Sequence, residues 1–185
     1  MVESFSGEPE TIWDGSRNMK LQKEISYTDP DGRVWTVPVP PKAFLNGATI
    51  PRPLWTAIGS PYAGKYRRAS VIHDYFVGEG DNPDVTDEQR KAADKMFFHA
   101  CRFDGCSRHF AALLYIGVRF GSIISTWDAQ YQQAAFGDDE DVRTSPEYDY
   151  ILAKYWEIVD EAGSAVEEGN LKKLDEIIDR KMRLE

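Results

Sequence analysis

Cysteine is scarce in this 185-residue chain. There are only two, Cys101 and Cys106, five positions apart. A small secreted domain stapled by disulfides carries more than one pair. The spacing matches no zinc pattern, and no second pair exists to complete a site. Both read as plain thiols in a core or loop. Long apolar runs are also missing. None approaches the ~20 residues of a membrane span, and no apolar stretch follows Met1 as in a secretory leader. The expectation is a chain made in the cytoplasm, without a signal peptide or membrane span. Basic residues are outnumbered, with 22 Lys and Arg against 31 Asp and Glu, a net charge of −9 and a pI near 4.9. A nucleic-acid binder would show a basic stripe, and an anionic membrane would repel this surface. The sequence therefore implies no nucleic-acid partner. No internal repeat is visible at any fixed period.

The apolar content is ample for a core: 42% hydrophobic, 12% aromatic and five Trp. The pattern predicts an α+β chain, mostly α. An N-terminal β-hairpin and loop would pack on a three-helix core, followed by a C-terminal helical hairpin. Residues 1–18 read as an irregular arm. Two alternating stretches, 21–27 and 33–39, flank the turn Asp29-Pro30-Asp31-Gly32 and predict the hairpin. Helical spacing predicts a first helix over 66–77, ended by Gly78 and Gly80. Thr86 with Gln89 three residues on is a capping box and starts the second, which Gly105 closes. The third begins near Ser107. Its Gly117 and Gly121 lie one turn apart, where another backbone can approach closely. Residues 131–145 read as an acidic linker, with the core over 19–130. Over 146–185, Ser145-Pro146 opens a helix that Gly163 should end, and a last helix starts near Asn170.

The candidate chemistry centres on His73. It falls mid-helix on an apolar face, and Asp74 projects about 100° round from it. A short loop makes the next helix an antiparallel neighbour, so Asp94 can face His73. A carboxylate on one imidazole nitrogen fixes the tautomer and raises the basicity of the other, which can then take a proton from water. Asp74 could hold a hard divalent cation such as calcium, with Asn46, Gly47 and Thr49 supplying a loop. Arg119, in an i, i+4 pair with Tyr115, offers a planar fork to an anion, or pairs internally with Asp94 or Asp74. The plainer reading is that a buried His–Asp bond simply locks two helices together. His99 and His109 read as ordinary surface or boundary residues, and Phe44, Trp35 and Trp55 as core. Catalysis requires His73 both within reach of Asp94 and open to water.

The run Val39-Pro40-Pro41-Lys42-Ala43-Phe44-Leu45-Asn46-Gly47-Ala48-Thr49-Ile50-Pro51-Arg52-Pro53-Leu54-Trp55 resembles the opening motif, VPxGFxTDGASIPRxLW, of a phage and prophage family known only as a domain of unknown function. The likeness continues through Ile72-His73-Asp74-Tyr75, Ala93-Asp94, Phe97, Tyr115, Val118-Arg119 and Gly121. It spans about residues 25–122. Asn46 stands where the pattern has Asp. A fainter likeness is to the small calcium-dependent secretory phospholipases, which also place a His–Asp pair on one helix and an orienting Asp on an antiparallel one. The spacing from His73 to Asp94, 21 residues, is like theirs. That resemblance implies His73 as base, Asp74 as calcium ligand and Asp94 as orienter, although the disulfides and calcium loop of those enzymes are missing. Together the likenesses imply a chain found in the host cytoplasm or the virion. One expectation is a His/Asp-dependent hydrolase of an ester or amide, with Arg119 or a cation meeting the oxyanion. A second is an assembly component of a tail, neck or baseplate, partnered by other virion proteins or by itself. A third is a small regulatory or counter-defence protein that binds through its acidic surface.

Overall fold

The computed structural model describes residues 2–13, 18–39, 44–60, 64–77, 85–137 and 140–183. The chain divides into two compact units, one of residues 1–48 with 61–106 and the other of residues 49–60 with 107–185. It is mostly α, with short antiparallel strands at the N-terminal end.

In the first unit the strands form two three-stranded sheets. One has the order β1 (Ser4–Phe5), β4 (Ile25–Thr28), β5 (Val34–Val37); the other has β2 (Thr11–Trp13), β3 (Met19–Leu21), β6 (Phe44–Leu45). The expected hairpin is β4–β5, with Tyr27 opposite Trp35 and Ile25 opposite Val37. Its turn is fixed by Asp29, which accepts hydrogen bonds from the Arg33 amide and the Trp35 indole, both at 2.9 Å. Two expectations are corrected. The arm is not irregular, because β1 and β2 pair with β4 and β3. The stretch 21–27 is not one strand: it breaks after Leu21, and its halves join different sheets. Leu21, Ile25 and Tyr27 still point inward, on either side of the break.

Among the described residues, two helices complete this unit, α2 (Arg67–Phe76) and α3 (Asp87–Phe103). The residues that would end α2, Gly78 and Gly80, lie outside the described residues. α3 starts on the capping box: Thr86 Oγ1 accepts from the Gln89 amide at 3.2 Å, and Gln89 Oε1 accepts from the Thr86 amide at 2.8 Å. The α2 residues Ala69 and Ile72 and the α3 residues Ala93, Phe97 and Ala100 are fully buried. The larger of these, Ile72 and Phe97, each contribute roughly 1.5–3 kcal/mol on leaving water.

The second unit contains a short α1 (Trp55–Ile58), then α4 (Arg108–Ile124), α5 (Ala129–Phe136), α6 (Pro146–Glu168) and α7 (Leu171–Lys181). α6 and α7 are the expected C-terminal hairpin. α6 runs through Gly163 and ends at Gly169, whose φ of 62° is the left-handed cap. The reason lies in the apolar face, which continues through Ala162, Ala165 and Val166, all buried. α5 occupies the front of the expected linker because Ala134 and Ala135 are buried. The acidic pair 138–139 lies outside the described residues.

Candidate functional site

The site is built on α2 and α3 of the first unit. α2 packs against α3 on one side and against β4, β5 and β6 on the other. Adjacent positions can therefore both be buried, and His73 and Asp74 have 0% and 1% exposure. His73 Nε2 lies 2.6 Å from Asp94 Oδ1, within a strong hydrogen bond, and Asp94 is also fully buried. An ionised carboxylate only accepts, so Nε2 carries the hydrogen and Nδ1 is the basic nitrogen. Nδ1 is buried and has no hydrogen-bond partner among the described residues. The imidazole packs against Phe97, ring centres 5.1 Å apart.

Asp74 turns to the loop after β6. Its Oδ2 accepts from the amides of Asn46 at 2.5 Å and Gly47 at 3.0 Å. Gly47 has φ of 97°, the left-handed conformation that glycine enters without cost and that lets two successive N–H groups converge on one anion. This geometry differs from the expected cation loop. Calcium demands six to eight oxygens, and here N–H donors point at Oδ2. The two residues expected to share a cation, Asp74 and Asn46, are instead joined carboxylate to amide. This arrangement does not fit a calcium cage.

Ser70, one turn before His73 on α2, escaped the sequence reading. It is buried, and its hydroxyl has no hydrogen-bond partner among the described residues. Positions i and i+3 share a helix face. The signal was the S-x-x-H-D spacing. Two polar side-chain atoms without partners thus lie on one helix beside a buried carboxylate.

Arg119 belongs to α4 of the second unit. Its Nη2 donates to Asp179 Oδ1 at 3.0 Å and its Nε lies 3.5 Å from Asp175, both on α7. Tyr115 donates to Asp175 as well. The reading of an internal carboxylate partner named Asp94 or Asp74; the carboxylates against it in its own unit are Asp175 and Asp179. The cluster fastens the amphipathic α7 to α4. Of the other candidates, His109 is exposed and bonded to Glu167 at 2.9 Å. Trp35 is core, at 3% exposure, and the Phe44 side chain lies outside the described residues. Trp55 is not wholly core: with Arg52, Arg143 and Tyr148 it lines a cavity of about 400 Å³ in the second unit.

The family model "Protein of unknown function (DUF1353)" matches residues 19–118, more than half the chain. The chain belongs to this family. His73, Asp74, Asp94 and the Asn46–Gly47 loop all fall inside the matched DUF1353 segment; α5, α6 and α7 fall outside it. The chain is similar to "Uncharacterized protein y4jT" of Sinorhizobium fredii (strain NBRC 101917 / NGR234), 36% identical over 99 residues. The match covers 54% of this chain and 27% of that relative. No solved structure matches. No helix among the described residues is long and apolar enough to cross a membrane.

Proposed function

We propose that this DUF1353 chain is a hydrolase of an ester or amide, with His73 as general base and Asp94 as its orienting carboxylate. One observation carries the reading: His73 commits Nε2 to Asp94 and keeps Nδ1 in the interior without a hydrogen-bond partner among the described residues. A buried polar atom left unpaired costs ~1–3 kcal/mol. A purely structural clamp would avoid that cost with an apolar pair of the same volume. In the proposed reaction Nδ1 takes a proton from water as the water oxygen attacks the carbonyl carbon. The imidazolium, steadied by Asp94, returns that proton to the leaving alkoxide or amine. Asp74 holds the Asn46–Gly47 loop against α2. Ser70, on the same face, is a candidate to position the water.

The full burial of His73 sets a condition on this reading. The requirement of access to water is not met in this conformation, so turnover needs the cover over His73 to open. The same burial favours a second reading, that of an assembly component of a phage particle in which the cluster is scaffolding. Ile12 and Trp13 add to it, being 57% and 51% exposed on β2, an edge strand. Exposed apolar edge strands are templates for pairing.

A series of p-nitrophenyl esters and anilides separates the two. The hydrolase reading expects wild-type turnover and a loss of ~10²–10⁴-fold in kcat in His73→Asn, with the fold retained by circular dichroism. Added calcium should leave the rate unchanged if Asp74 serves the loop alone. Absence of wild-type turnover across the series, together with a lowered Tm in His73→Asn, refutes the hydrolase and leaves the scaffold.

A further inference from the structure

The two cysteines occupy special places at the end of α3. The Cys106 amide donates to the Cys101 carbonyl at 3.0 Å, and the Gly105 amide donates to the Arg102 carbonyl at 3.1 Å. Gly105 has φ of 84°. These two bonds and the left-handed glycine define a Schellman cap. That cap brings together the side chains at the first and last of its six residues, and an apolar contact there frequently accompanies it. Here the pair is Cys101 and Cys106. Both thiols are reduced and buried. Residues joined by a backbone hydrogen bond lie at the short Cα separations that disulfides span, roughly 4.4–6.8 Å.

The thiols are not equivalent. Cys101 has no exposure, and Cys106 retains 4%. Around Cys106 stand two cations: Lys65 Nζ donates to the Gly105 carbonyl at 3.3 Å, and the Arg102 guanidinium donates to the Cys106 carbonyl. The nearby carboxylate, Asp104, is engaged by Arg68 through two hydrogen bonds. The hydrogen bond from Cys101 holds the Cys106 thiol below its ordinary range, aided by the Lys65 and Arg102 charges against burial and Asp104. Burial drives the Cys101 thiol well up. A thiol of lowered pKa beside a second thiol is the arrangement of a redox pair, and Cys106 is the less enclosed of the two.

We propose that Cys101 and Cys106 are a redox-active dithiol that reacts with low-molecular-weight disulfides, Cys106 attacking and Cys101 resolving. The Cys106 thiolate attacks one sulfur of the oxidant, RSSR, forming a mixed disulfide and expelling RS⁻. Cys101 gives up its proton and attacks the Cys106 sulfur, expelling the second RS⁻. The net reaction converts two protein thiols and RSSR into one intrachain disulfide and two RSH. The protein is oxidised and the small disulfide reduced. The bond closes the cap of α3 two turns beyond Asp94.

The test incubates the full folded chain with glutathione disulfide at neutral pH and reads intact mass under non-reducing conditions. The wild type should lose two hydrogens and retain no glutathione, and dithiothreitol should reverse the change. Cys101→Ser should stop at one stable glutathione adduct on Cys106, and Cys106→Ser should stay unmodified until denatured. The wild-type rate should fall as pH is lowered, because the thiolate attacks. A native wild type that stays fully reduced, or that keeps a glutathione adduct, overturns the proposal. That readout needs no variant, so a misfolded mutant does not blur it.

Discussion

Gly121→Ala tests the packing of the second unit most directly. The loop at 49–51 runs against α4 at this glycine. An added Cβ would lie 1.8 Å from the Thr49 carbonyl oxygen, where ordinary contact begins near 3.4 Å, and 3.2 Å from Pro51 Cδ. The obstacle is backbone, so no side-chain rotation relieves it, and the loop must leave the helix. Overpacking of this kind costs ~3 kcal/mol, at the upper end of its range. Replacing a helical glycine by alanine returns ~1 kcal/mol. The net loss is ~2 kcal/mol, or ~4–8 °C in Tm for a chain of this size. Gly117→Ala is the control one turn away. There the nearest atom, at 2.8 Å, is Ile58 Cδ1, the end of a side chain that can turn aside. That variant should stay within ~1 kcal/mol of wild type, since the strain and the helical gain offset each other. Thermal unfolding followed at the helical band measures both. A Gly121→Ala protein that melts at or above the wild type would refute the close-approach argument.

Asp175→Ala should cost ~3–5 kcal/mol, because it strips a buried carboxylate from both Arg119 and Tyr115. The triple variant Tyr115→Phe/Arg119→Met/Asp175→Leu should recover most of that in urea titrations; failure to recover would mean that the cluster does more than fasten α7. Alkaline pH should also destabilise the chain. Burial, with the Glu3 hydrogen bond and charge, pushes the Tyr27 phenol well up, and burial alone pushes Tyr155 up. A raised phenol stabilises the fold fully below the unfolded value of about 10, and that contribution is lost as pH climbs above it. The urea midpoint should therefore fall above about pH 10 and fall less steeply in Tyr27→Phe; a flat midpoint would refute the assignment.

Much of the fold was legible because its signals are local. The Thr86–Gln89 box, Ser107, Ser145-Pro146 and Asn170 each mark a helix start through a side chain accepting from an amide three residues on. The Asp29–Gly32 turn is as local. The errors arose where packing overrode composition. Gly163 stays helical because the buried face of α6 continues past it, and residues 129–136 are helical because two alanines are buried. The division of 19–28 between two sheets depends on partners from the N-terminal arm and from Phe44–Leu45, which alternation alone does not reveal. At the site, the spacing from His73 to Asp94 was readable because antiparallel helices joined by a short loop leave few registers. The loop's use of N–H groups was not readable, since it depends on the left-handed backbone at Gly47. The Cys101–Cys106 contact was in principle readable, as Gly105 marks the cap that joins them.

Two buried charged clusters invite comparison, and they differ in how their charges are met. Arg119 faces Asp175 and Asp179, and Tyr115 gives its hydroxyl to Asp175, so a cation meets two anions and the phenol is satisfied. Such a cluster is explained by holding α7 in place. His73 meets Asp94 through one nitrogen only. Its second nitrogen and the Ser70 hydroxyl stay in the interior without hydrogen-bond partners among the described residues. An apolar pair at these positions would hold α2 to α3 with no such cost. Fastening α7 accounts for the Arg119 cluster, whereas the second nitrogen of His73 adds nothing to the bond between α2 and α3. The cost at His73 is the physical reason to seek chemistry on α2.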